Sequence, residues 1–62
     1  MAIEIRIAQK DKLYTLLYVQ ALTIKRGLTD FKELELLINQ ACAVMEAEDV
    51  SYVREQIAKI SL

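Results

Sequence analysis

Apolar and polar residues alternate at the start of the chain, where Ile3, Ile5 and Ile7 are separated by Glu4 and Arg6. This period of two is typical of a half-buried β-strand, so the pattern predicts an N-terminal strand. No other segment alternates in the same way, and a strand needs a hydrogen-bonding neighbour. We therefore expect the strands of two chains to pair antiparallel about a twofold axis.

The alternative is that residues 3–26 form one long helix. Apolar side chains recur there at steps that fit one helix face, namely Ile3, Ile7, Tyr14, Leu17, Ala21 and Ile24. Lys10 interrupts this series, Ile5 falls outside it, and no capping residue precedes residue 3. The strand is therefore the favoured interpretation.

Helical patterns fill the rest of the chain, and Gly27 separates the first two helices. It is the only glycine in a chain without proline, and glycine readily adopts the left-handed conformation that ends a helix. The apolar spacing predicts helices at about 11–26, about 31–46 and about 50–61. Asp30, with Glu33 three residues later, is expected to cap the second helix, with Thr29 as the alternative cap. Asp49 is expected to cap the third helix.

The first helix is apolar over more than half of its circumference, so it needs contacts on two sides. One side can face the second helix, and the other is expected to face another subunit or a target protein. The expected dimer interface consists of Ile3, Ile5, Ile7, Tyr14, Leu17, Ala21 and Ile24. The expected buried stripes are Phe31, Leu34, Leu37, Ile38, Ala41, Cys42, Val44 and Met45 on the second helix, and Val50, Val53, Ile57 and Ile60 on the third.

Composition also favours a homodimer. Hydrophobic residues make up 55% of the 62 residues, above the usual range of about 45–50%. A chain of this length buries only about 60% of the surface that its unfolded form exposes. The sequence therefore predicts one mainly α-helical domain over residues 1–62, with an N-terminal β-strand, a helical hairpin and a short third helix. We expect a homodimer with strands or helices paired about a twofold axis.

The side chains that usually carry chemistry are scarce. The chain has no histidine and a single cysteine, Cys42, which falls in the expected buried stripe. An intrachain disulfide and a zinc site are thereby excluded, and the commonest general base is missing. There is no glycine-rich phosphate loop either. We expect neither enzymatic activity nor a cofactor.

Charge and hydropathy indicate a cytoplasmic protein. The net charge of −1 provides no general attraction to nucleic acid or anionic membranes. Charged residues occupy the positions where a signal peptide would have an apolar core. The most apolar run, residues 13–24, is shorter than the roughly 20 residues that span a bilayer. No membrane association is expected.

The order of strand, helix, glycine turn and helix over residues 2–46 resembles the ribbon-helix-helix repressors, which are small dimeric DNA-binding proteins. The resemblance implies that outward strand residues, here Glu4 and Arg6, enter the major groove. It also implies that backbone amides near Thr29 hold a phosphate. The ribbon would carry one basic side chain per subunit, whereas phosphate neutralisation dominates DNA affinity. DNA binding is therefore the alternative function.

The leading hypothesis is a regulatory protein that binds and modulates another protein, as many small bacterial and phage proteins do. Tyr18, Leu36 and Tyr52 are the expected partner surface, because tyrosine combines a large apolar area with a polar tip. A structural assembly subunit is the second alternative.

Overall fold

Three α-helices form the chain between residues 3 and 60, the part that the computed structural model describes. They are α1 (Ile3–Lys25), α2 (Lys32–Ala43) and α3 (Ala47–Ala58). With 23 residues, α1 is about 35 Å long, nearly twice the length of the other two helices. Both α2 and α3 pack on α1, and they contact each other much less. The long first helix is therefore the element that holds the other two together.

Contacts near the start of α1 show the directions of the helices. The side-chain amide of Gln9 lies 3.4 Å from the carbonyl oxygen of Val44, just after the end of α2. Arg6 contacts Asp49, in the first turn of α3. Accordingly, α2 runs antiparallel to α1, and α3 runs parallel to it.

The predicted N-terminal strand is wrong. Residues 3–8 form the first turns of α1, and no strand occurs between residues 3 and 60. A helix satisfies its backbone N–H and C=O groups within the segment, whereas a lone strand leaves them to be satisfied elsewhere. The long-helix alternative therefore describes the segment correctly. Lys10 does not break it, since its ammonium lies 5.5 Å from the ring centroid of Tyr52.

The predicted break at Gly27 is confirmed. Gly27 has a φ of 80°, in the left-handed region. Its N–H donates to the carbonyl of Ile24 at 2.9 Å, and the N–H of Leu28 donates to that of Thr23 at 3.1 Å. This pair of bonds is a Schellman motif, which satisfies the last carbonyls of α1.

The predicted helix caps are wrong. The residues that precede α2 and α3 are Phe31 and Glu46, and neither makes a side-chain capping bond. Asp49 lies inside the first turn of α3, where its carboxylate binds Arg6. Tertiary contact with α1 therefore determines the role of Asp49.

The core lies where α2 and α3 meet α1. Its buried apolar residues are Leu13 and Leu17 of α1, Ile38 and Ala41 of α2, and Val53 of α3. Leu16, Leu34, Cys42, Met45, Val50 and Ile57 pack around them, partly buried. The stripe expected on α2 is too wide, because Leu37 and Val44 are exposed. Val44 follows the end of α2, and the helix has only one well-covered side.

Arg6 and Asp49 form the most specific contact between α1 and α3. The Nε and Nη2 atoms of Arg6 donate to the two carboxylate oxygens of Asp49, both at 3.0 Å. Nη2 also lies 3.2 Å from a carboxylate oxygen of Glu48. Asp49 is buried, so the bidentate pair compensates a charge that has little access to water. These bonds hold the pKa of Asp49 below its usual value and raise that of Arg6.

Gly27→Ala should destabilise the chain by about 1 kcal/mol, because a side chain at positive φ is strained. A β-carbon there would meet no atom within 4 Å, so the cost comes from the backbone alone. Gly27→Asn should cost less, since asparagine tolerates the left-handed region. Urea unfolding followed by circular dichroism measures both changes. Equal losses for alanine and asparagine would show that the backbone conformation is not the cause.

The Arg6–Asp49 pair should make stability depend on pH. Because the pKa of Asp49 is lowered on folding, the pair stabilises the chain above the unfolded pKa of about 3.9. This contribution is lost as the pH falls through the lower folded pKa. The melting temperature of the wild type should therefore fall between pH 7 and pH 2, and that of Asp49→Asn should fall much less. Thermal unfolding across this pH range measures both.

Glu55→Gln, which removes an exposed carboxylate from α3, is the control and should follow the wild type. If Asp49→Asn shows the same pH dependence as the wild type, Asp49 does not provide this contribution.

Candidate protein-interaction surfaces

Apolar side chains outside the core are the most prominent surface feature. Between residues 3 and 60, five hydrophobic residues are buried and eleven large hydrophobic residues are exposed. The exposed ones are Ile3, Ile5, Ile7, Tyr14, Val19, Ile24, Leu28, Leu36, Leu37, Val44 and Tyr52. Single exposed apolar residues are common, but those that share one helix face form a surface suited to binding.

One such surface, here called the tyrosine stripe, lies along α1 and consists of Ile3, Ile7, Tyr14 and Tyr18. These residues are separated by four, seven and four positions, so they share one face of the helix. The rings of Tyr14 and Tyr18 are stacked, with centroids 6.3 Å apart and planes 17° apart. The stripe therefore presents isoleucine in its N-terminal half and a large aromatic area in its C-terminal half.

Tyr52 of α3 lies beside this stripe. Lys10, Tyr14 and Tyr52 line a shallow groove between α1 and α3. The ammonium of Lys10 lies over the ring of Tyr52, a cation–π contact that draws the charge towards α3. All three tyrosines of the sequence are therefore close to the α1–α3 side of the molecule.

A second surface, here called the α2 face, consists of Leu36, Leu37, Gln40 and Val44. These residues recur at spacings of one helical turn, and all four are exposed. Gln40 and Val44 also line a groove with Gln9 and Lys12 of α1. The α2 face is aliphatic, and it lies next to the α1–α2 groove rather than the α1–α3 groove.

The structure separates the residues expected at a dimer interface. Ile3, Ile7 and Tyr14 share the tyrosine stripe, whereas Ile5 lies on another side of α1, because residues two apart on a helix diverge. Leu17 is buried in the core of the single chain. The remaining two, Ala21 and Ile24, line a groove with Leu17 and with Ile57 of α3.

The expected partner surface is also divided. Tyr18 stacks on Tyr14 within the tyrosine stripe, and Tyr52 lies beside that stripe on α3. Leu36 is on the α2 face instead. The apolar pattern placed Leu37 and Val44 in the core and gave Gln40 no role, so Leu36 is the only residue of the α2 face that the sequence predicted as partner surface. The width of the apolar stripe expected on α2 could have indicated the exposed residues, since one neighbouring helix cannot cover so wide a stripe.

The residues that the ribbon-helix-helix resemblance assigns to DNA are far apart. Glu4 and Arg6 lie in the first turns of α1, and the guanidinium of Arg6 is bound to Asp49 and Glu48. Thr29 follows the other end of α1 and is exposed. About 30 Å of helix separates Arg6 from Thr29. The structure therefore does not bring these residues together.

Other kinds of site have little support in the described residues. Cys42 is partly buried against the core. No group of three or more His, Cys, Asp or Glu residues between positions 3 and 60 could hold a metal ion. In the same range, no helix is both long enough and apolar enough to cross a membrane.

No protein-family model, curated protein or solved structure matches this chain.

Proposed function

We propose that this chain is a small, non-enzymatic regulatory protein of the cytoplasm that acts as a homodimer and binds a different protein. The observation that supports the proposal is the excess of exposed over buried large apolar residues between positions 3 and 60. Exposed apolar side chains that share a helix face are typical of interaction sites. Two separate faces of this kind suit a protein with two binding roles.

The non-enzymatic part of the proposal is supported by the sequence and by the use of the charged residues. The chain has no histidine. Its one cysteine, Cys42, packs against the core. The buried carboxylate of Asp49 is bound to Arg6, which gives it a structural role. Cys42, Asp49 and Arg6 therefore contribute to the packing of the helices. The exposed apolar faces of the chain are suited to binding another protein.

The α2 face is the surface that we assign to the target protein. Leu36 has 57% of its surface exposed. It lies with Leu37 on the exposed side of α2, and Val44 follows directly after the end of that helix, so the three side chains can enter an apolar groove together. Such helix-in-groove contacts concentrate binding energy in a few central side chains. The target is therefore expected to present an apolar groove.

Leu36→Lys should reduce target binding at least about tenfold, because it places a charge within the α2 face. The full chain, tagged and expressed in its native cells, should retain one protein in stoichiometric amount. The retained amount is measured by quantitative mass spectrometry, with nucleic acid assayed in the same eluate.

Ser51→Lys is the matched control, since it adds the same charge at an exposed position of α3, and it should bind as the wild type does. Circular dichroism should show equal helix content in both variants. The proposal is wrong if the chain retains only nucleic acid, or if Leu36→Lys and Ser51→Lys retain the target equally.

A further inference from the structure

The tyrosine stripe has the spacing of a helix-pairing surface. Residues that recur at steps of three and four can meet the same face of another helix along its length. Ile3 and Ile7 have 74% and 49% of their surface exposed. Neither α2 nor α3 covers these isoleucines, and Tyr14, which borders α3, is still exposed. Within the described residues the stripe is therefore only partly covered.

We propose that a second copy of this chain covers the tyrosine stripe, with the two α1 helices antiparallel about a twofold axis near Tyr14. The proposal rests on the proposed function, because it identifies the interface of the homodimer suggested there. It leaves the α2 face of each subunit available to the target.

The chain exposes a large surface for its mass. It exposes 4688 Å², whereas a folded monomer of its mass, 7.1 kDa, exposes about 4,100 Å². A subunit that keeps an apolar helix face uncovered has such an excess of surface.

The charges beside the stripe favour an antiparallel arrangement. Glu4 and Asp11 lie in the N-terminal half of α1, and Lys25 and Arg26 lie at its C-terminal end. Parallel helices would place each carboxylate beside the same carboxylate of the other chain, which is destabilising. Antiparallel helices centred near Tyr14 place Glu4 near the basic end of the other helix. They also oppose the two helix dipoles.

The centre of the stripe is suited to a twofold axis. Antiparallel pairing brings Tyr14 close to the partner's Tyr14, and it sets the phenol hydroxyl of Tyr18 beside the carboxylate of the partner's Asp11. An O–H donor would thus meet an acceptor. The stacked rings of Tyr14 and Tyr18 lose little side-chain freedom on binding, since tyrosine has only two side-chain torsions. Lys10, held over Tyr52, stays at the edge.

Sedimentation equilibrium of the full chain tests the interface. The wild type should sediment at micromolar concentration with twice the monomer mass of 7.1 kDa. Ile7→Lys should raise the dimer dissociation constant at least about tenfold, because it places a charge within the apolar contact. Ile3→Lys, at a still more exposed position, should weaken the dimer in the same direction.

Ile5→Lys is the matched control. Ile5 and Ile7 have 52% and 49% of their surface exposed, and they lie two residues apart on different sides of α1. The control should keep the dissociation constant within about twofold of the wild type, since it changes the same helix end without touching the stripe. Circular dichroism checks that all three variants remain helical.

Electron paramagnetic resonance tests the orientation. A nitroxide is attached to Glu4→Cys in a chain that also carries Cys42→Ala. In an antiparallel dimer the two labels should be about 30 Å apart, because they lie at opposite ends of the paired helices. Parallel helices would bring them to about 10 Å.

Several results would overturn this interface: a monomeric wild type, a dimer that Ile5→Lys weakens as much as Ile7→Lys does, or labels at the short distance. The retention of a target through Leu36 is measured separately, so protein binding can stand if the α1 interface fails. A dimer that behaves as expected but retains no target supports the interface and contradicts the regulatory function.

Discussion

The burial of one side of α1 beneath α2 and α3 is the constraint on which the rest of this structure depends. Leu13 and Leu17 provide the centre of that contact, and Ile38 and Val53 reach it from the two short helices. Two helices of 12 residues cannot surround one of 23. The other sides of α1 therefore keep their isoleucines and tyrosines at the surface. The apolar excess that suggests binding is a direct consequence of this topology.

Packing of apolar side chains has little directional preference, so it does not by itself fix the position of α3 along α1. The bidentate pair between Arg6 and Asp49 fixes that position, because a planar guanidinium meets both carboxylate oxygens in only a narrow range of geometries. It aligns the starts of the two helices. The cation–π contact between Lys10 and Tyr52 lies one turn further along both helices and supports the same alignment.

The two candidate surfaces border different grooves. The tyrosine stripe lies beside the groove between α1 and α3, whereas the α2 face lies beside the groove between α1 and α2. The proposed self-association and the proposed target binding would therefore use separate surfaces of one subunit. A dimer built on the stripe would carry two copies of the α2 face, and two linked sites can increase the apparent affinity for a target that also has two sites.

The sequence by itself determined the helical hairpin about Gly27, the presence of a third helix, and the scarcity of catalytic side chains. These features depend on local conformational preference and on composition. Tertiary structure decided whether residues 3–8 are strand or helix, because three alternating isoleucines are compatible with both. It also decided that Asp49 pairs with Arg6, 43 residues earlier, and that Leu37 and Val44 remain exposed. No local pattern carries such information, since each outcome depends on which helix lies alongside and how much surface it can cover.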